Sequence, residues 1–169
     1  MVDPDNRRPV DYGRRSRLLE ELASAMQEDR PALAHQITAR WPDWRAKLLT
    51  THVALRLRRD NPTLFERGDY VPIEADGRAR DHIVAFARTL RDSCVLVVVP
   101  VQSRALTGAG RLPLGEATWG DDGLRLPPEL PKLYEDAFTG RLVAADSGRL
   151  RLADVLARFP ASILVPRQT

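Results

Sequence analysis

The first third of the chain carries apolar residues that recur every three or four positions. Between residues 14 and 28, one side of a helix would be lined by Leu18, Leu19, Leu22, Ala25 and Met26. Asp11 precedes this run as a candidate helix start. Residues 1–12 lack such a period and are rich in charged and proline residues, which is typical of a polar loop.

Two more helices are predicted before residue 62. A short one covers residues 31–40. The next covers residues 44–59, with Asp43 as its candidate cap and with Asn61 and Pro62 as the signal that ends it. The third helix has the clearest pattern of the three, because apolar residues recur along most of its length.

From residue 62 onward the pattern changes to short β-branched or alternating runs separated by turn residues. The first strands are predicted at residues 70–73, 83–87 and 95–101. Further candidate strands follow at residues 115–119, 123–126, 138–143, 149–152 and 163–165, with a helical turn at residues 153–158. Short strands at such close spacing predict an antiparallel sheet or sandwich.

The predicted fold class is therefore α+β, with helices first and an antiparallel sheet or sandwich second. The predicted boundary lies near Asn61 and divides the chain into residues 1–61 and 62–169. Three amphipathic helices need a partner for their apolar faces, and a small β-sandwich normally completes its own core without helices. The helical part is thus expected to belong to a larger structure.

The composition is that of a folded protein and limits the choice of partners. The 169 residues are 43% hydrophobic and 29% charged, with a net charge of +3. Among the basic residues, all except Lys47 and Lys132 are arginine, and most of these alternate with acidic residues. We therefore expect no nucleic-acid partner. Arginine clusters within residues 7–17 and 56–59 keep an Arg-rich nucleic-acid-binding protein as an alternative.

The single cysteine, Cys94, cannot form an internal disulfide and lies in an apolar run, where it is expected to pack as a small hydrophobic residue. This fits a reducing compartment. The sequence contains no apolar stretch near the roughly 20 residues of a membrane-spanning helix, and its N-terminus lacks a signal-like pattern. We expect a cytoplasmic protein with no membrane partner.

The histidines and tryptophans give weaker indications. His35, His52 and His82 are too far apart in sequence for the usual spacing of metal ligands, so no metal and no cofactor are expected. Trp41 and Trp44 flank the start of the third helix and are expected to be packing groups. The chain also contains Trp119, whose role, in the core or stacked on a sugar ring, the sequence leaves open.

Several strings along the chain resemble one enzyme family. VDPDNRRPVDY at residues 2–12 is similar to the loop that follows the eighth barrel strand in maltooligosyltrehalose synthases of glycoside hydrolase family 13. Strings that look like the C-terminal portion of the same family follow in order: WRAKL at 44–48, LRLRR at 55–59, LFERGDY at 64–70, HIVAFAR at 82–88, LGEATWG at 114–120 and LADVLARFP at 152–160. The resemblance covers nearly the whole chain.

The resemblance implies an α-amylase-like isomerase of trehalose biosynthesis. Its catalytic α/β barrel converts the reducing-end α-1,4 bond of a maltooligosaccharide into an α,α-1,1 bond by intramolecular transglucosylation. The family's catalytic carboxylates precede the segment seen here, so the resemblance implies no catalytic residue in this chain and, for the chain alone, uncertain activity. It implies sugar contacts in the intact enzyme for Asp3, Asn6, Arg7, Arg8 and Asp11.

The chemistry would need two carboxylates about 5–5.5 Å apart around one glycosidic bond. Three candidate acidic pairs lie on a loop, a helix exterior and a turn, where none is expected to be held in a pocket; they are Asp3 and Asp5, Glu20 and Glu21, and Asp121 and Asp122. The chain is therefore expected to be a structural part of the enzyme.

The partners implied are the missing catalytic barrel, against which Trp41 and Trp44 would pack, and a maltooligosaccharide in the intact enzyme. Leucine-rich helix faces left exposed without the barrel also predict self-association. One alternative is an independent carbohydrate-binding module, although an aromatic content of 6% is low for that role. Another is a short protein whose partner chain supplies the barrel.

Overall fold

A computed structural model describes residues 10–167 of the protein. The helices and strands of this part follow one another in chain order as α1 Tyr12–Glu28, α2 Arg30–Ala39, α3 Arg45–Asp60, α4 Pro62–Arg67, β1 Asp69–Pro72, β2 Glu74–Ala75, a 3₁₀ helix Gly77–His82, β3 Ile83–Leu90, β4 Ser93–Pro100, α5 Ser103–Thr107, α6 Gly115–Trp119, β5 Gly123–Arg125, β6 Leu133–Asp136, β7 Leu142–Ala144, β8 Arg149–Arg151, α7 Leu152–Val155 and β9 Ser162–Pro166. The α+β class is confirmed.

The three predicted N-terminal helices form as α1, α2 and α3, and acidic side chains mark where they begin. Asp11 accepts a hydrogen bond from the Arg14 backbone N–H at 2.8 Å, and Asp29 accepts one from that of Ala32 at 2.9 Å. Each bond satisfies a backbone donor that a helix leaves unpaired at its N-terminus. At α3, Asp43 accepts from the Arg45 backbone N–H at 2.9 Å.

The strands form two antiparallel sheets. The larger has the order β1-β3-β4-β9-β6-β7, and the smaller has the order β2-β5-β8. The longest pairing joins β3 and β4 from Ile83 opposite Pro100 to Leu90 opposite Ser93. Neither sheet closes into a barrel.

Two stretches that were predicted as strands differ in the structure. The prediction for residues 115–119 is wrong, since they form helix α6 and bury Trp119. The prediction for residues 138–143 is largely wrong, because a turn separates β6 from β7 there. The Asp136 carboxylate fixes this turn by accepting from the backbone N–H groups of Phe138 at 3.0 Å and Thr139 at 2.7 Å. Strand β6 itself was not predicted.

The larger sheet has a core on each face. Alternate residues of β4 point to opposite sides: Leu96 and Val98 join a cluster with the smaller sheet, α6 and α7, whereas Val95 joins the helices. The helical cluster contains Leu22 of α1, Leu33 and Ile37 of α2, Leu49 and Val53 of α3, Leu64 of α4, and Phe138, Phe159 and Ile163 from the β part.

This packing corrects one expectation. The idea that the sheet completes its own core without the helices is wrong, because the central strand is apolar on both faces and the helices cover one of them. The predicted boundary near Asn61 stays a prediction, and in the described residues the helices and the larger sheet share one core.

Candidate functional site

The predicted sugar contacts fall mostly on residues outside the described part of the chain. Asp3, Asn6, Arg7 and Arg8 all lie there. Asp11 is described: it is exposed, and one of its carboxylate oxygens caps α1. Its role as a helix cap is therefore defined, and its contact with a sugar stays a prediction.

Two of the candidate acidic pairs lie in the described part of the chain, and their surroundings are unlike those of catalytic carboxylates. Glu20 and Glu21 are exposed on α1. The Asp121 side chain is fully exposed, whereas Asp122 is buried and accepts from the Arg78 backbone N–H at 3.0 Å. The two neighbouring carboxylates thus face different environments, and one of them is committed to holding the 3₁₀ helix.

A polar cluster that sequence analysis missed joins the strands of the smaller sheet. Asp76 receives two hydrogen bonds from the Arg149 guanidinium, at 2.8 Å and 2.6 Å, and one from the Gly123 backbone N–H at 2.9 Å. The Nε atom of Arg125 lies 3.6 Å from Oδ2 of the same carboxylate. The Arg149 hydrogen bonds lower the pKa of Asp76 to about 2, although burial opposes this change.

This cluster borders an open cavity of about 440 Å³, lined among others by Glu74, Asp76, Arg80 and Arg125. Proton donation near neutral pH requires a carboxyl group whose pKa lies near that pH. Asp76 is ionised there and is held by Arg149, so it suits a structural role and cannot act as a general acid.

The most buried carboxylate, Asp136, is also used by the fold. Besides its two turn N–H donors, it accepts from the Thr139 hydroxyl at 2.8 Å and from the Ser162 hydroxyl on β9. Burial raises its pKa, while these hydrogen bonds act in the opposite direction. Both carboxylate oxygens are engaged by protein donors, which ties the β6–β7 turn to β9.

The tryptophans divide into one buried and two exposed residues. Trp119 is fully buried and donates its indole N–H to the Pro113 carbonyl at 2.8 Å, so it has no ring face open to a sugar. Trp41 and Trp44 are 40% and 54% exposed, so of the two packing roles expected for them, in the core or against a barrel, the described residues do not provide the first. Packing of these two rings against a barrel stays a prediction.

An apolar groove runs between α1 and α3, with a volume of about 300 Å³. We call this the α1–α3 groove, and its lining is Leu19, Leu48, Thr51, His52, Leu55, Arg56 and Arg59. Burial is the main cause that lowers the pKa of His52, and Arg56 and Arg59 add to it. The groove thus combines an apolar floor with two arginines whose positive charges disfavour protonation of His52.

Neither a metal-binding cluster nor a membrane-spanning helix is present among residues 10–167. They contain no group of three His, Cys, Asp or Glu residues that could hold a metal ion. None of the helices in that range is long and apolar enough to cross a membrane. Residues 10–167 thus form an α+β segment with ion-paired strands and an apolar groove open to solvent.

Comparison with known proteins identifies the family. No protein-family model matches the chain. Proteins of two Mycobacterium tuberculosis strains, named maltooligosyl trehalose synthase, are each 38% identical to it over 125 residues, which is 72% of this chain and 13% of the relative. Two solved structures of the maltooligosyltrehalose synthase from Arthrobacter ramosus also match it, one unmodified and one of a mutant.

The unmodified Arthrobacter enzyme aligns with a TM-score of 0.68 at 32% identity, and the mutant aligns with 0.67 at 29%. Each alignment covers 98% of this chain and only 18% of the solved chain. The chain is therefore related to the maltooligosyltrehalose synthases, and the predicted resemblance to a C-terminal portion of these enzymes is confirmed. The chain spans less than a fifth of the length of these relatives.

Proposed function

We propose that this chain serves as the non-catalytic C-terminal part of a maltooligosyltrehalose synthase of glycoside hydrolase family 13. The complete enzyme would be an isomerase that converts the reducing-end α-1,4 bond of a maltooligosaccharide into an α,α-1,1 bond. The observation that carries this proposal is the alignment of 98% of the chain within 18% of the Arthrobacter enzyme. The catalytic barrel of the same enzyme is the proposed partner.

The role of this part would be to hold the loop of residues 2–11 in place beside the sugar. In sequence, these residues directly precede α1, whose start is fixed by the Asp11 cap. Helix α1 is anchored in turn by Leu22, which belongs to the same buried cluster as Phe138 and Phe159 of the β part. A rigid support of this kind keeps polar side chains in the geometry that binding requires.

The proposal is tested by an assay for loss of reducing ends with maltopentaose as substrate. The chain alone should give no turnover and no heat of binding in titration calorimetry. A chimera of the Arthrobacter enzyme, in which the matched segment is replaced by this chain, should convert maltopentaose. Conversion by the chain alone would refute the proposal, and binding without conversion would favour the carbohydrate-binding module.

The sugar contacts are tested in the same chimera. Arg7→Ala and Arg8→Ala should each weaken substrate use through a higher KM, because each removes charge-assisted hydrogen bonds to sugar hydroxyls. Arg58→Ala serves as the matched control, since Arg58 is an exposed arginine of α3. Equal KM values in all three variants would contradict the proposed role of the loop.

A cytoplasmic location is part of the proposal. It is supported by Cys94, a buried free thiol in a strand, as is usual in reducing compartments. Fractionation of the source cells, followed by detection of the chain with an antibody, would test it. Recovery in the secreted fraction would contradict it.

A further inference from the structure

Helix α3 has a second apolar side that the described fold covers only in part, because Leu48 there packs against the helical core whereas Leu55 is exposed. One side packs Ala46, Leu49 and Val53 into the core shared with the sheet. The other side carries Leu55, which is 59% exposed, and the residue just before the helix, Trp44, is 54% exposed. An ordinary surface helix has one apolar stripe and a polar opposite face, so this second apolar side calls for an explanation.

The exposed side has the spacing of a helix-binding stripe. Trp44, Leu48, Thr51 and Leu55 follow one another at intervals of four, three and four residues, which places them along one side of α3. Leu19 of α1 forms the opposite wall of the groove. The stripe covers eleven residue steps, or about 16 Å at about 1.5 Å per residue, which is the length of about three turns of a partner helix.

We propose that the α1–α3 groove receives an amphipathic helix from the part of the enzyme outside this chain, with carboxylates along the flank of that helix. This inference rests on the proposed function. The solved Arthrobacter enzyme carries the same fold over 98% of this chain, yet this fold makes up only 18% of that protein. A body several times larger is thus connected to the fold and is the occupant to which the proposal commits.

The charge of the groove sets the chemistry of its occupant. Arg56 and Arg59 lie beside the apolar floor, and Arg59 is 3.2 Å from Asp60 on the outer end of the helix. Cations at the edge of an apolar interface favour a partner with acidic groups at the matching edge and disfavour a basic one. Leucine and aromatic side chains with flanking Asp or Glu therefore fit this groove.

The test compares side-chain exposure in the free chain and in the chimera with the Arthrobacter enzyme. Hydroxyl-radical labelling should modify Trp44 and Leu55 several-fold more slowly in the chimera. Leu142 on β7 is the matched control, because it is also a leucine that is 59% exposed, and its labelling rate should be unchanged. Equal rates for Leu55 in the two proteins would overturn the proposal.

A pair of variants tests the same contact by stability. Leu55→Glu and Leu142→Glu should leave the thermal midpoint of the free chain unchanged, since both side chains are largely in solvent. In the chimera, only Leu55→Glu should lower the midpoint, because it places a charge in a covered apolar site. The same loss for both variants, or no loss for either, would contradict the inference.

These experiments also distinguish a helix of the same enzyme from a second copy of the chain as the occupant of the groove. They likewise distinguish failure of the groove contact from failure of the proposed function. Sedimentation that shows a dimer of the free chain, dispersed by Leu55→Glu, together with unchanged labelling in the chimera, would assign the groove to a second copy and overturn the inference. An inactive chimera with slowed labelling at Leu55 would refute the proposed function and leave the groove contact supported. If the chimera does not accumulate, co-expression of the chain with the remainder of the Arthrobacter enzyme allows the same labelling comparison.

Discussion

Replacing Asp76 by Asn should make the protein less stable at neutral pH and leave its stability in acid nearly unchanged. The carboxylate has its pKa lowered from 3.8 to about 2, mainly by Arg149. One pKa unit corresponds to about 1.4 kcal/mol, so this shift would give about 2.5 kcal/mol if it were fully expressed. The Arg149 side chain is 35% exposed and solvent screens the pair, which reduces the expected contribution to roughly 1 kcal/mol.

The pH window follows from the direction of the shift. A carboxyl group with a lower pKa in the folded state contributes all of its stability above the unfolded pKa, near 4, and loses it as the pH falls toward 2. Asn can still accept the Gly123 hydrogen bond, so the substitution mainly removes the charge interaction with Arg149.

The assay is urea unfolding followed by circular dichroism at pH 6 and pH 3. The difference in free energy of unfolding between wild type and Asp76→Asn should be roughly 1 kcal/mol at pH 6 and clearly smaller at pH 3. Asp92→Asn is the control, since that side chain is exposed in the turn between β3 and β4, and it should leave both values unchanged. A difference of equal size at the two pH values would refute the electrostatic argument.

Three further predictions concern the core, the thiol and the helix cap. Phe159→Ala should lower the free energy of unfolding by about 3–5 kcal/mol, since Phe159 is 3% exposed and stacks on Phe138 at 4.8 Å; helix and sheet signals should still disappear in one urea transition, and two separate transitions would contradict the shared core. Burial raises the pKa of the Cys94 thiol to about 11, so a disulfide reagent at pH 8 should react only after urea unfolds the chain, and immediate reaction would contradict its burial. Asp11→Ala should cost about 1 kcal/mol in urea unfolding through loss of the hydrogen bond to Arg14, whereas Asp11→Asn, which keeps an acceptor, should cost less; equal losses would argue against capping.

The helices were predictable because their signals are local. The apolar spacing, together with Asp11 before α1 and Pro62 after α3, places these elements to within a few residues of the observed bounds. The wrong prediction of a strand at residues 115–119 arose because no local signal marks that helix. That segment is too short to show a helical period, and its helix is fixed by burial of Trp119 against distant residues.

The sites that hold the fold together depend on pairs that are far apart in sequence. Asp76 and Arg149 are separated by 73 positions, and Asp136 is 26 positions from Ser162. No spacing rule links such residues, since their approach follows from the order of strands in the sheets. The apolar run of β4 was visible, but that it is covered on both faces depends on how the helices fold back.

The shared core has a consequence for the proposed sugar loop. Leu22 of α1 and Phe159 beyond the last helix belong to one buried cluster, so α1 and the β part cannot move independently without opening that core. If residues 2–11 bind a maltooligosaccharide as proposed, a substitution such as Phe159→Ala should raise KM in the chimera although Phe159 itself is buried away from solvent. The β part would then act in catalysis by anchoring α1, the helix that follows the proposed sugar-binding residues.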